Sequence, residues 1–159
     1  MSTKEKRPFT AQFPREPKNG DEILIRGRLE EGARKFSVNF CLPRPAGISE
    51  LQSPPYIAYH FKTMYHEDGG SQVVLNWKNV NWQNEEILEN IWHTDRSKVF
   101  TVIFRLHEDK IKVFVDCIDH LPDYEFLLQL PLDQIRTIEL WDDVVVEEIS
   151  FRYDNNTFC

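Results

Sequence analysis

Apolar and polar residues alternate with a period of two along most of the chain after residue 20. Successive side chains of a β-strand point to opposite faces, so this alternation predicts strands with one buried and one exposed face. The predicted strands cover residues 23–28, 36–41, 57–62, 73–77, 100–106, 111–115, 124–130, 135–141 and 144–153. Residues 132–136 predict one short helical turn, and no long amphipathic helix is predicted.

Turn-forming residues separate the predicted strands. Pro43, Pro45 and Gly47 mark a loop, and the run EDGG at residues 67–70 is typical of a β-hairpin turn. Many short strands at regular spacing favour an all-β fold, an antiparallel β-sandwich of two sheets.

The length of 159 residues is that of one domain of ordinary size. Residues 1–20 combine prolines with basic and polar residues, and they predict an N-terminal tail that is partly disordered or forms an edge strand. The folded domain is predicted at residues 21–159, either as a whole protein or as one domain of a tandem protein.

The charge balance narrows the class of partner. Lys plus Arg number 19 against 26 Asp plus Glu, a formal net charge of -7. Nucleic-acid binding needs a basic field to neutralise phosphates, so we predict no nucleic-acid partner. No apolar run approaches the roughly 20 residues of a membrane span, and the polar N-terminus lacks a signal-peptide core, so no membrane insertion is predicted.

Three cysteines, Cys41, Cys117 and Cys159, lie far apart in the sequence. No CxxC pair is present, which argues against a zinc site, and we predict neither a metal nor a cofactor. The odd count favours free thiols in a reducing compartment.

Motifs of enzyme active sites are missing from the sequence. It contains no glycine-rich phosphate loop and no GxSxG nucleophile motif. Glu85 and Glu86 adjoin one another, whereas glycoside hydrolases use two opposed carboxylates. We therefore predict a binding protein rather than an enzyme.

One predicted strand carries a polar face. Residues two apart in a strand share a face, so His60, Lys62 and Met64 line one side, opposite an apolar set. Asn76 lies between Leu75 and Trp77 on a neighbouring strand and faces the same outward side. These side chains predict a ligand-binding face on the outside of one sheet.

Several short stretches, taken in order, resemble a galectin carbohydrate-recognition domain over residues 20–153. They are GDEILIRG at 20–27, FSVNF at 36–40, YHF at 59–61, VLN at 74–76, WQNE at 82–85, VIF at 102–104 and LPDYEF at 121–126. The resemblance implies a jelly-roll sandwich that binds glycans or glycoproteins without metal. It also implies a cytoplasmic protein, with export without a signal peptide as an alternative. Many galectins form homodimers through terminal strands, and the apolar C-terminal strand at 144–153 fits either that role or burial in a monomer.

The galectin pattern reads H-F-N-P-R, then V-x-N, then W-x-x-E-x-R. Four residues match it: His60, Asn76, Trp82 and Glu85. Four depart from it: Lys62 in place of Asn, Thr63 in place of Pro, Met64 in place of the first Arg and Ile87 in place of the second.

The resemblance gives each matching residue a role. Trp82 would stack on the C–H face of galactose, His60 and Asn76 would meet its hydroxyls, and Glu85 would accept from a hydroxyl or position a cation. Lys62 would supply one charged donor. Plainer alternatives stay open: His60 as an ordinary strand histidine, Trp82 as a loop aromatic packed on the sheet, and Glu85 as a solvated charge.

The absence of the two arginines of the galectin pattern should weaken the binding of β-galactosides. Hydrogen bonds to charged groups contribute about 1.5–3 kcal/mol each, so both losses together weaken binding by roughly two decades or more. We predict a galectin-type lectin with weakened or altered β-galactoside specificity. The alternative is a galectin-related protein-interaction module that no longer binds lactose.

Overall fold

A computed structural model describes residues 7–159, and the part of the predicted tail at residues 1–6 lies outside the described residues. Within that range the chain forms twelve strands and one 3-10 turn, Leu132–Gln134, where the sequence predicts a short helical turn. The strands are β1 (Phe9–Gln12), β2 (Glu22–Leu29), β3 (Lys35–Cys41), β4 (Tyr56–Tyr65), β5 (Ser71–Asn79), β6 (Asn81–Trp82), β7 (Glu86–Glu89), β8 (Phe100–Leu106), β9 (Lys110–Val115), β10 (Tyr124–Leu127), β11 (Thr137–Asp142) and β12 (Val144–Arg152).

The strands form two sheets. The seven-stranded sheet has the order β1-β11-β3-β4-β5-β6, and β7 also pairs with β5. The five-stranded sheet has the order β10-β9-β8-β2-β12. Because every pair of neighbours is antiparallel, the predicted all-β, two-sheet antiparallel sandwich is confirmed.

Aromatic rings join the two sheets at the centre of the core. Phe104 of β8 lies with its ring centroid 5.0 Å from that of Phe40 on β3 and 5.7 Å from that of Phe61 on β4. Tyr59 of β4 stacks on Phe126 of β10 at 4.7 Å. These large rings bury much apolar area, and their inward direction turns the alternate side chains of β3 and β4 outward.

The sequence did not predict two short strands. β6 and β7 contain two and four residues and lie at an edge, where too few alternating positions exist to show a period. β1 pairs with β11 at the opposite edge of the same sheet, so this part of the predicted tail forms the edge strand that the sequence offered as an alternative to disorder. Among residues 7–159 no helix is both long enough and apolar enough to cross a membrane.

The expectation of three free thiols is wrong for two of them. Cys41 is a buried free cysteine, but Cys117 and Cys159 form a disulfide across 42 residues, with their Cα atoms 5.7 Å apart. The sequence gives no sign of this pairing, because it depends on the last residues folding back over the five-stranded sheet. There Phe158 packs with Leu24 and neighbouring apolar side chains of that sheet.

Candidate functional site

A cavity of about 460 Å³ lies on the outer face of the seven-stranded sheet, where β4, β5, β6 and β7 meet. Every residue that the sequence nominated for the site lines it, together with two others. The lining residues are His60, Lys62, Met64, Gln72, Val74, Asn76, Trp82, Glu85 and Ile87.

Strand register arranges these side chains in rows across the sheet. His60 of β4 stands opposite Asn76 of β5. In the next row Lys62 pairs with Val74, which in turn pairs with Ile87 of β7. Because two residues advance a strand by about 6.6 Å, the rows form a groove that continues away from His60.

The indole of Trp82 and the imidazole of His60 lie in contact. Their ring centroids are 4.5 Å apart and their planes are inclined by 50°. Trp82 belongs to β6 and pairs in register with Lys78, whose Nζ atom lies 5.1 Å from the indole centroid. The indole is 44% exposed, so one aromatic face is available to a ligand.

A side chain of the neighbouring strand β3 fixes the position of His60. Its Nδ1 lies 2.5 Å from Oδ1 of Asn39, and the Asn39 amide donates to Oγ of Ser37 at 3.1 Å. Burial, and then the positive charges of Lys62 and Lys78, lower the pKa of His60 to about 3. A neutral ring that donates Nδ1–H to Asn39 keeps Nε2 as an acceptor toward the groove.

Asn76 offers the complementary chemistry. Its Oδ1 accepts the backbone N–H of Trp77 at 2.8 Å, so its amide NH₂ is the group left for a ligand hydroxyl. The first row of the groove, with the Trp82 indole packed against it, thus combines an acceptor, a donor and an aromatic face. That combination can recognise a molecule with hydroxyls on one side and C–H groups on the other.

Comparisons with known proteins show the family to which the chain belongs. The family model described as galactoside-binding lectin matches residues 8–151. The chain belongs to the galectin family. It is 26% identical to galectin-4 of Rattus norvegicus over 145 residues, 91% of this chain and 41% of that protein. It is 26% identical to human galectin-12 over 132 residues, 83% of this chain and 37% of that protein. The chain thus spans about two fifths of the length of these curated galectins.

Solved galectin structures share the fold. Galectin LEC-6 of Caenorhabditis elegans superposes with a TM-score of 0.72 at 20% identity, covering 93% of this chain and 92% of that one. Sheep galectin-11, solved in a complex with glycerol, gives a TM-score of 0.70 at 21% identity over 92% of this chain and 98% of that one. At such identities the likeness establishes the sandwich and leaves the ligand open.

The charged side chains of this galectin's groove stay apart. Lys62 and Glu85 both line the cavity, yet neither takes part in an ion pair with any residue in the range 7–159. Nor does this range contain a cluster of three or more His, Cys, Asp or Glu side chains that could hold a metal ion. Both charges are therefore available to a ligand.

Sequence reasoning missed four residues that matter to the site: Ser37, Asn39, Gln72 and Val74. Asn39 had a usable signal, since it is a polar residue on the outward side of the strand next to His60. Val74 and Gln72 had one too, since they alternate with Val73 and Leu75 and so share the outward face of Asn76, but an apolar valine is not expected in a polar binding site.

The turn that positions Trp82 contains a residue in the left-handed region of backbone conformation. Val80, between β5 and β6, has a φ of 66° although its side chain is β-branched. Its backbone N–H donates to the Pro55 carbonyl at 2.7 Å, which holds the turn against the loop before β4. Positive φ is unfavourable for valine, so this turn stores strain beside the binding face.

Replacing Val80 with asparagine should raise the free energy of unfolding by about 0.5–1 kcal/mol, because asparagine tolerates this backbone conformation. Urea denaturation measures the change, and Val99→Asn, an equally open surface valine without positive φ, serves as the control. Ligand affinity should stay within about twofold because β6 is unchanged. A loss of stability in the Val80 variant would contradict the strain assigned to this turn.

The lowered pKa of His60 predicts how stability depends on pH. The unfolded chain protonates this imidazole near its ordinary pKa, whereas the folded protein resists protonation down to about pH 3. Above pH 6.5 the imidazole is neutral in both states, and stability is lost as the pH falls and only the unfolded chain binds the proton. Between pH 7 and pH 5 this should lower the free energy of unfolding by on the order of 1–2 kcal/mol.

His60→Gln isolates this effect, since it removes this one imidazole and leaves the rest of the chain unchanged. Urea denaturation at pH 7 and pH 5 should show a smaller acid loss in the variant than in the parent protein. Equal losses in both would mean that His60 is protonated in the folded state.

Proposed function

We propose that the groove binds the galactose unit of β-galactosides. Trp82 stacks on the C–H face of the sugar, His60 accepts a hydrogen bond from a ring hydroxyl, and Asn76 donates one. The observation that carries the proposal is the contact of the Trp82 and His60 rings at 4.5 Å, with Asn76 in register beside them.

Physical chemistry favours galactose over its epimers at such a site. The axial 4-hydroxyl of galactose leaves one ring face as a continuous C–H patch, which an indole covers well. The same hydroxyl then points away from the indole toward the sheet, within reach of a neutral histidine acceptor. An equatorial hydroxyl, as in glucose, would miss this acceptor and leave it buried without a partner, which is the costly outcome.

The affinity should be lower than that of a galectin with the full motif. Met64 and Ile87 supply no charged donor, and Lys62 offers a single ammonium without the planar fork of arginine. With about 1.5–3 kcal/mol at stake per charged hydrogen bond, the loss amounts to roughly two decades or more.

Calorimetric titration tests the proposal. Methyl β-galactopyranoside and lactose should bind in the high-micromolar to millimolar range, and methyl β-glucopyranoside should bind at least tenfold more weakly. Equal binding of the two epimers would rule out recognition of galactose. Lactose affinity equal to that of a full-motif galectin would rule out the weakening assigned to Met64 and Ile87.

The departures from the motif support a second candidate, a protein-interaction module that has lost lactose binding. Ile87 exposes 54% of its surface on the same face, as a protein contact would require. Retention on lactose-agarose separates the two functions. Elution by lactose that disappears in Trp82→Ala favours the lectin, and flow-through of both proteins favours the module.

Self-association through terminal strands is part of the proposal. β1 and β12 are edge strands of the two sheets, and an edge strand offers unpaired backbone groups to a second copy. Analytical ultracentrifugation should detect a dimer, and a monomer at millimolar concentration would remove this part.

A further inference from the structure

The groove changes character beyond its first row. Three apolar side chains, Met64, Val74 and Ile87, lie there, and we call them the apolar wall. Val74 is buried in the sheet, whereas Ile87 is 54% exposed within the groove. An apolar side chain exposed beside a candidate sugar site is a surface that a ligand can cover.

Register places the apolar wall where a substituent of the bound sugar would lie. Val74 and Ile87 stand one row beyond His60 and Asn76, about 6.6 Å along the strands. Met64 is one row further along β4. Whatever is attached to the first sugar along this groove therefore rests on the wall.

Three polar side chains lie near the apolar wall, Lys62, Gln72 and Glu85, and of these Gln72 is already engaged. Gln72 shares the row of Met64, and its Oε1 lies 3.2 Å from Nε2 of His66. Lys62 can meet one hydroxyl from the opposite strand. A second sugar would bury several hydroxyls here without partners, which is unfavourable, while an apolar group would gain from the same contact.

We propose that the apolar wall forms a second subsite for an apolar aglycone, an alkyl or aryl group linked to the galactose. The inference rests on the proposed function, since the sugar in the first row determines where the aglycone lies. The preferred ligand class is then a β-galactoside with a hydrophobic aglycone rather than a hydroxyl-rich disaccharide.

The expected increase in affinity follows from the area of the apolar wall that an alkyl chain can cover. A methylene group half-covered by apolar side chains improves affinity by about twofold. We expect three or four methylenes of a hexyl chain to cover Ile87 and Met64, because Val74 is buried and offers little surface. Hexyl β-galactopyranoside should therefore bind about tenfold more tightly than the methyl glycoside.

Titration calorimetry with four glycosides tests the inference. The ligands are methyl, hexyl and phenyl β-galactopyranoside, with hexyl β-glucopyranoside as the control for non-specific alkyl binding. We expect the hexyl and phenyl galactosides to exceed the methyl galactoside by about tenfold and fivefold, with the hexyl glucoside far weaker.

The outcomes separate the two proposals. If the methyl galactoside binds and the hexyl and phenyl galactosides gain less than twofold, the aglycone subsite is wrong and the galactose site stands. If the hexyl glucoside matches the hexyl galactoside, the alkyl gain is non-specific and the subsite is again wrong. If no galactoside binds, the proposed function itself fails, and the inference fails with it.

A matched pair of variants locates the effect. Ile87→Arg puts a charge in the wall. It should reduce the advantage of the hexyl over the methyl galactoside from about tenfold to about twofold, while lactose affinity rises. Val99→Arg is the control, because Val99 is also 54% exposed and lies next to β8 in the other sheet. It should keep the full hexyl gain. A full hexyl gain in Ile87→Arg would overturn the subsite.

Discussion

Trp82→Ala should weaken the binding of methyl β-galactopyranoside about 100-fold, because large aromatic side chains at the centre of a contact carry about 2–4 kcal/mol. The indole supplies the only large apolar face in the first row of the groove, among the residues that line it. Its removal also exposes the His60 ring, on which it now packs. The sugar then loses its stacking partner while water gains access to its acceptor.

Calorimetric titration at high protein concentration measures this loss, and Trp82→Phe is the matched control. The smaller ring keeps a flat face, so its affinity should fall by less than tenfold. The fold should be unaffected, since Trp82 lies in a two-residue edge strand and is 44% exposed. Unchanged affinity in Trp82→Ala would show that the sugar does not stack on this indole.

Arg44→Met should lower the free energy of unfolding by about 3–5 kcal/mol, the usual cost of leaving a buried charge without its partner. Glu139 of β11 is completely buried, and both its oxygens accept from the Arg44 guanidinium, Nη2 to Oε1 at 3.0 Å. Trp141 Nε1 donates to the same carboxylate at 3.0 Å. Without the arginine, the buried carboxylate is left with only this one donor among the described residues.

Urea denaturation of Arg44→Met measures the loss of stability. Two further variants test whether the loss comes from the unpaired buried charge. Arg44→Met combined with Glu139→Gln should recover about half of the loss, because no unpaired charge remains. Arg34→Met removes the exposed pair with Glu67, whose side chains are 76% and 89% exposed, and should cost less than about 0.5 kcal/mol. Equal costs for Arg44→Met and Arg34→Met would contradict the buried-pair account.

Alternation was enough to predict most of the sandwich, because each long strand has one face in the core. It also placed His60, Lys62 and Met64 on a shared outward face, and β4 shows them less buried than their neighbours. The short strands β6 and β7 escaped prediction, since β6 has only two residues and the run EILE of β7 does not alternate apolar and polar residues. The Cys117–Cys159 pair escaped because it depends on long-range folding.

The candidate site was predictable as a set of residues but not as an arrangement. The galectin resemblance named seven of the nine groove residues, yet the contact of Trp82 with His60 depends on the strained turn at Val80. The support of His60 by Asn39 depends on the register between β3 and β4. Pairing register and turn geometry are set by tertiary packing, which a single sequence does not display.

A crystal structure of the protein with methyl β-galactopyranoside tests the central claim most directly. We expect the C–H face of the sugar about 4 Å from the Trp82 indole and its axial hydroxyl about 2.8 Å from Nε2 of His60. A sugar bound away from the β4–β7 face, or an empty groove at saturating ligand, would contradict the account.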